Sequence, residues 1–396
     1  MRLELRPQVV IQKLKDLYHR INVFDKAPIE DKRKQPQIPP VMIFKSLLFI
    51  PLLRIKSRLQ LDSYLRLPEV KKLLGSKREM VVSDSTMERS LKGFNRDSLR
   101  TITHAELDYH KRNGNSRIEL CSGRKIVAGI VDGTTIGKKL CSVFYVIGKI
   151  NTLVDVEKIE KRGKELAASW KLLERNFSEA DLFIFDGLYY VKEKINWLRK
   201  QGKHVLIKTE EEKLQVLQDA EGLFRSYEEF KDTVRYDEGV EVKDNGDKFS
   251  YKVWAAEGFR TDGIDYPLKI AKVQMENIAT GTVEVFYVIT TLEELTGLEM
   301  KQLAQWRWRI ENNAFKKGNE HYALKHAFIN DEHGWEAMTL ILFIGFNLFE
   351  MLRKMVIEEG LVETVRRKSY KWFAEQIKRS ILILYAVGGE FSFDSS

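Results

Sequence analysis

Two short apolar runs end in the same pair of residues, an aspartate followed by a glycine: Lys125–Gly133 (KIVAGIVDG) and Leu182–Gly187 (LFIFDG). An unbroken apolar run of strand length reads as a strand buried on both faces. Such a strand tolerates a carboxylate only where it leaves the core, so Asp132 and Asp186 are expected on the polar rim of a sheet. Far downstream a helix-like segment, Trp306–Asn313 (WRWRIENN), carries a third acid, Glu311. Hard oxygen ligands gathered from two strand ends and a helix are what divalent-metal chemistry on phosphates requires.

The chain around the first two acids alternates strand and helix. Ile126–Val131, Ser142–Ile147 and Leu153–Ile159 read as three successive strands rich in β-branched and aromatic residues. A helix follows with Leu166, Trp170, Leu173 and Phe177 on one face, then a strand at Leu182–Phe185. A helix at Val191–Lys200 closed by Gly202 and a strand at His204–Ile207 complete the series. Three strands, helix, strand, helix, strand is the ribonuclease H-like order, a meander joined to parallel crossovers.

After Thr209 this alternation stops. Thr233–Val242, Phe249–Glu257, Tyr266–Met275 and Val283–Thr290 alternate like antiparallel strands, with turn clusters such as DNGD at 244–247 between them. Helix returns near Gly297, with Leu298, Leu303, Trp306, Ile310 and Phe315 as packing positions. The expected fold class is α/β: a ribonuclease H-like catalytic core with a mainly β insertion, plus an all-helical N-terminal domain. The expected divisions are a helical domain at 1–115, a core at 124–209 and 291–352, an insertion at 210–290 and a helical segment at 353–396.

Charge separates these parts. Residues 1–100 hold 22 Lys and Arg against 11 Asp and Glu, a balance of +11 that exceeds the +9 of the whole chain. Residues 210–262 hold 8 against 15, a balance of −7. A basic N-terminal part suits a polyanion such as DNA. Within it Val9–Tyr18 is amphipathic, Pro36–Pro40 is a rigid joint, and Val41–Leu53 is an apolar helix closing near Pro51. Ser83–Phe94 begins with cap-forming residues and sets Arg89 and Lys92 around apolar Met87, Leu91 and Phe94. With the short helix Pro68–Leu74 before it, this segment is compatible either with a helix-turn-helix or with an ordinary surface helix of a bundle.

Composition excludes other classes. The two cysteines, Cys121 and Cys141, form no CxxC and join no His/Cys cluster, so neither a structural zinc nor a disulfide framework is expected. The N-terminal MRLELRPQVV has charges without an apolar stretch behind them, unlike a signal peptide. The greasiest stretch, Ala337–Leu352, is shorter than the roughly 20 residues a membrane span needs and carries Asn347 and Glu350, so it reads as a core helix. No membrane and no small-molecule substrate are expected, and a cytoplasmic location is.

The residues themselves resemble one family, the bacterial insertion-sequence DDE transposases whose archetype is insertion sequence four. The resemblance runs from about Arg124 to Glu350, with DGTTIGK at the first aspartate, FDGLYY at the second and RWRIENNAFK around the glutamate. It implies a cut-and-paste enzyme acting on double-stranded DNA, both element ends and target, as at least a homodimer near the nucleoid. It also implies Mg²⁺, replaceable by Mn²⁺, with Asp132, Asp186 and Glu311 as catalytic metal ligands. Two such ions about 3.5–4 Å apart activate a water or 3′-hydroxyl and neutralise the leaving oxygen. A metal-dependent nuclease of the same fold and a non-catalytic DNA-binding descendant are the alternatives. The family signature spaces Tyr, Arg, Glu and Lys at intervals of three, four and seven residues. Arg307 and Glu311 fit it, whereas Ala304 and Gly318 stand where Tyr and Lys belong. Trp306, Lys316, Lys317 and Lys325 are the nearest replacements.

Arg307 lies one helical turn before Glu311, where it can contact a DNA phosphate or pair with that acid. Trp306 and Trp308 can pack, or stack on an unpaired base as the resemblance implies for hairpin-forming members, with Asn312 and Asn313 nearby. Thr134 and Thr135 either support the metal site or cap a turn, and Tyr189 and Tyr190 either pack or line a DNA groove. His321 and His326 have no partner spacing that makes either a ligand.

Overall fold

The computed structural model describes residues 12–13, 29–67, 70–71, 74, 82–210, 213–243, 246–309, 316–322, 324–358 and 370–386. Its elements begin with helices α1 (Pro40–Leu53), α2 (Arg58–Leu65), α3 (Asp84–Gly93) and α4 (Arg96–Arg112), then a small hairpin of β1 (Ile118–Glu119) and β2 (Lys125–Ile126). The alternating region follows: β3 (Ala128–Ile136), β4 (Lys139–Ile147), β5 (Thr152–Lys158), α5 (Glu165–Asn176), β6 (Leu182–Asp186), α6 (Lys192–Lys200) and β7 (His204–Thr209). Helix α7 (Gln215–Arg225) leads into β8 (Arg235–Val242), β9 (Lys248–Phe259), β10 (Leu268–Asn277) and β11 (Val283–Thr290). Helices α8 (Gly297–Arg309), α9 (Lys317–His321), α10 (Glu332–Glu358) and α11 (Tyr370–Ala386) complete the described chain.

The strands expected from 124 to 290 all form, and they join one nine-stranded mixed sheet in the order β5-β4-β3-β6-β7-β11-β10-β9-β8. Strands β3, β4 and β5 make an antiparallel meander, and β6 and β7 add to it in parallel. The interposed strands continue the same sheet, because β11 pairs antiparallel with β7 from Tyr287↔Thr209 to Thr290↔Leu206. That pairing occupies an edge of β7 whose N–H and C=O groups would otherwise lie open. The acidic segment 210–262 thereby falls toward the β8 edge, remote from the meander.

Alternation along each strand feeds two cores on opposite faces. Ile130, Ile184 and Leu206 point into one cluster, while Val131, Phe183, Phe185 and Ile207 point into the other. The second cluster is closed by Leu172 and Leu173 of α5, Leu198 of α6 and Leu217 of α7. The first is closed by α10 and by the N-terminal helices: Phe44, Leu91 and Ile102 share it with Phe343 and Phe346. The helices at 40–112 therefore bury their apolar sides in the core of the sheet.

Helix α10 is the one helix among the described residues long and apolar enough to cross a membrane, and 94% of its most apolar window is buried inside the protein. It is a core helix, as the sequence suggests. Asn347, a fully buried polar residue within it, donates 2.9 Å to the Leu153 carbonyl and accepts 3.0 Å from the Leu153 amide, covering the outer edge of β5. It also donates 2.8 Å to Glu106, a fully buried acid of α4. Burial pushes the Glu106 carboxyl well above its ordinary value, outweighing that hydrogen bond. One turn on, buried His110 is pushed down to about 3 by desolvation and by Lys354.

Several local expectations change. Helix α1 runs through Pro51 to Leu53 and ends on Arg54 in the left-handed conformation, φ 55°. Asp132 ends the apolar run but not the strand, since β3 continues to Ile136 as one arm of the hairpin with β4. Of the amphipathic segment Val9–Tyr18 only Gln12 and Lys13 are described, and of Pro68–Leu74 only Val70, Lys71 and Leu74, so a helix-turn-helix lies outside the described residues. Helix α3 forms with Met87 and Leu91 buried, Lys92 paired to Glu88 at 2.8 Å and Arg89 bonded to the Ser85 carbonyl.

Two outcomes follow from this packing. A Cβ on Gly345 would sit 2.1 Å from Cγ of Pro51, a rigid ring, so Gly345→Ala should cost about 2–3 kcal/mol in denaturant unfolding. The stability that neutral Glu106 confers is present below the ordinary carboxyl value and lost as pH rises through its raised folded value. Glu106→Gln should therefore stabilise the protein at pH 8 and leave it nearly unchanged at pH 4, as read by thermal melts at both pH values.

Candidate active site

Strand register brings the two aspartates together. Strand β3 pairs in parallel with β6 at Ala128↔Leu182, Gly129↔Phe183 and Ile130↔Ile184. The constant offset of 54 residues, from 182 less 128, also relates Asp132 to Asp186. Both acids lie beyond the last buried residues of their runs, with side chains 16% and 51% exposed. Asp186 closes β6 at its carboxyl end, where open α/β sheets bind their ligands, while Asp132 lies where the parallel pairing with β6 has ended and β3 runs on only as one arm of the hairpin with β4.

Each carboxylate is held in the same way. Oδ1 of Asp132 accepts 2.9 Å from the Gly133 amide, and Oδ1 of Asp186 accepts 2.6 Å from the Gly187 amide. Oδ2 of both faces Nη1 of Arg307, at 3.6 Å from Asp132 and 3.4 Å from Asp186. Two oxygens that near one nitrogen are at most about 7 Å apart, the sum of those distances. Arg307, 9% exposed, comes from α8, and the sequence expectation of a phosphate or Glu311 partner is joined by a contact to both aspartates.

Helix α8 is fixed independently of the acids. Thr296 and Glu299 form a reciprocal cap: the Glu299 amide donates 3.2 Å to the Thr296 hydroxyl, and the Thr296 amide donates 2.8 Å to the Glu299 carboxylate. Farther along, Lys301 pairs with Glu241 of β8, and Gln305 donates 2.8 Å to the same carboxylate. Arg307 thus reaches the aspartates from a helix tied down on the far part of the sheet.

A further carboxylate packs on the neighbouring Gly133, on the face of β3 that carries Val131. An ideal Cβ on Gly133 would lie 2.6–2.8 Å from the carboxyl atoms of Glu165, the first residue of α5. The hydroxyl of buried Tyr189 donates 3.1 Å to Glu165 and lies 2.8 Å from Ser169, which lies 2.7 Å from Ser142. Burial, together with the charges of Glu165 and Asp132, holds the Tyr189 hydroxyl far above its ordinary range. The sequence offered no sign of Glu165, since nothing in the chain order links a helix start to Asp132; the only trace is a glycine where a side chain would not fit. Gly187 is a similar case, with Thr209 Oγ1 2.7 Å from its would-be Cβ.

The other expected residues are distributed unevenly. Glu311, Asn312 and Asn313 lie outside the described residues, as do the side chains of Trp308, Lys317 and His321. Trp306 is half-buried against the core that α10 closes. Lys316 and Lys325 are exposed. Ala304 is buried, and a Cβ on buried Gly318 would meet Leu324 Cδ1 at 2.2 Å. Thr134 and Thr135 continue β3 toward a two-residue turn, Gly137 and Lys138, both with positive φ of 53° and 68°. That turn is braced where the Gly137 amide donates 2.8 Å to the Leu324 carbonyl. Lys138, Lys161, Arg162 and Lys164 are exposed on the loops after β3 and β5, which open at the end of the sheet where Asp186 closes β6.

Among the described residues no three of His, Cys, Asp and Glu converge as a metal-binding group. The aspartates supply two hard oxygen donors already turned toward a cation, a donor set that fits Mg²⁺ or Mn²⁺ and not a soft metal. No family model matches this chain, and a search of curated proteins returns no significant match.

Tyr189→Phe removes the donor to Glu165 and a partner of Ser169 while keeping the ring in its aromatic stack on Phe185. The variant should lose about 1–2 kcal/mol in denaturant unfolding.

Proposed function

We propose that this protein is a DNA transposase with a ribonuclease H-like core, cutting strands at the ends of a mobile element and joining them to a target. The observation that carries this reading is the convergence of Asp132 and Asp186, through their Oδ2 atoms, on one cationic nitrogen just past the parallel pairing of β3 with β6. The strand order supports it too: an antiparallel meander with β6 and β7 added in parallel beside its first strand is what the ribonuclease H-like order requires. The resemblance of DGTTIGK, FDGLYY and RWRIENNAFK to the insertion-sequence enzymes supplies the substrate, and Glu311 as the third acid.

The roles follow from the geometry of each group. Asp132 and Asp186 would hold Mg²⁺ through Oδ2, their Oδ1 atoms being engaged by backbone amides. Mg²⁺ bound there supplies Lewis acidity toward the attacking water or 3′-hydroxyl and charge for the leaving oxygen. The amide bonds fix each carboxylate's rotation, so the oxygens are presented without reorganisation. Arg307 brings a delocalised cation suited to a phosphodiester oxygen. Lys138, Lys161, Arg162 and Lys164 give that end of the sheet a positive field for DNA, and acidic β8 lies at the edge of the sheet opposite β5. Synapsis of two ends calls for at least a dimer, and a nucleoid location accompanies that role.

The test is cleavage of a supercoiled plasmid carrying the coding region with its natural flanking DNA. Wild type with Mg²⁺ should nick and release the segment, and Asp132→Asn or Asp186→Asn should lower the rate by at least about a hundredfold while DNA retention on a filter persists. Equal cleavage by both variants would overturn the reading. Salt-sensitive binding with no cleavage by wild type would favour a non-catalytic DNA-binding protein instead.

A further inference from the structure

We propose that Arg307 is a built-in counter-cation that competes with the divalent metal for the two aspartates, so that metal loading requires its displacement. This rests on the metal-dependent reading above. Three observations carry it. Each aspartate has one oxygen committed to a glycine amide, at 2.9 Å for Asp132 and 2.6 Å for Asp186, which leaves Oδ2 as the outward ligand atom. Both Oδ2 atoms, and the same guanidinium nitrogen, make up the contact with Arg307. A metal needs those oxygens at about 2.0–2.1 Å, a place that a guanidinium drawn to the same two atoms already fills with positive charge.

The contact to the acids is a loose one. At 3.4 and 3.6 Å it is longer than the 2.7–2.9 Å of a tight charge-assisted hydrogen bond. Helix α8 is anchored through bonds of Thr296, Glu299, Lys301 and Gln305, none of which is a contact to the aspartates, so its position does not depend on the Arg307 pairing. Until metal arrives, Arg307 offsets the repulsion between two carboxylates whose facing oxygens are at most about 7 Å apart. Once displaced, its charge is available to a phosphodiester.

Calorimetric titration of the full chain with MnCl₂, without DNA, tests this directly. Arg307→Gln should bind Mn²⁺ roughly five- to tenfold more tightly than wild type, the scale of one partly buried ion pair released. Asp132→Asn combined with Asp186→Asn defines the heat that belongs to this site. Arg307→Met, which keeps much of the stem and removes the charge, gives the same comparison if thermal melts show the Gln variant unfolded. Equal or weaker affinity in the uncharged variants, with heat that the double Asn variant abolishes, would overturn competition and leave the metal reading intact. Heat that the double Asn variant does not alter would overturn the metal reading and the competition together.

Discussion

The parallel register of β3 against β6 is the constraint on which the site depends. A single offset of 54 residues, kept from Ala128↔Leu182 to Ile130↔Ile184, makes Asp132 and Asp186 neighbours where the apolar runs of both strands end. A slip of one residue would turn the alternating side chains to the opposite faces, exchanging Ile130 and Ile184 with Val131 and Phe185 between two different cores. The two hydrophobic clusters therefore enforce the register, and the register sets the distance between the acids. Folding and site geometry are the same problem here.

Around that pair the chain places charge with unequal commitment. The amide bonds to Oδ1 come from the residues immediately following each aspartate and are local, so they form wherever the strand ends form. Arg307 arrives from more than a hundred residues away and relies on a cap at Thr296 and Glu299 and on the anchoring of Lys301 and Gln305 to Glu241. The strands between β7 and α8 are what make this possible. By extending the sheet they provide the surface, Glu241 included, that holds α8 over the aspartates.

Much of this architecture was legible because its signal is periodic and local. The runs KIVAGIV and LFIF have only one compatible environment, and the four strands from 233 to 290 announce themselves by alternation and turn residues. Their junction with β7 was not legible, since nothing local distinguishes a strand that starts a new sheet from one that extends an old edge. The same limit hid Glu165, which meets Gly133 only through the packing of α5 on the meander. Asn347 shows the opposite case. An amide in a greasy helix signals a polar partner, but its partner, the edge of β5 at Leu153, emerges only with the tertiary fold.

The central claim is that Asp132 and Asp186 share a divalent cation through the oxygens that now face Arg307. Crystals of the protein grown with MnCl₂ and measured at a wavelength that reports manganese test it most directly. The account predicts an anomalous peak within coordination distance of Oδ2 of both aspartates, with Arg307 withdrawn from them. Manganese bound elsewhere, or absent while Arg307 still lies against both carboxylates at saturating metal, would contradict it.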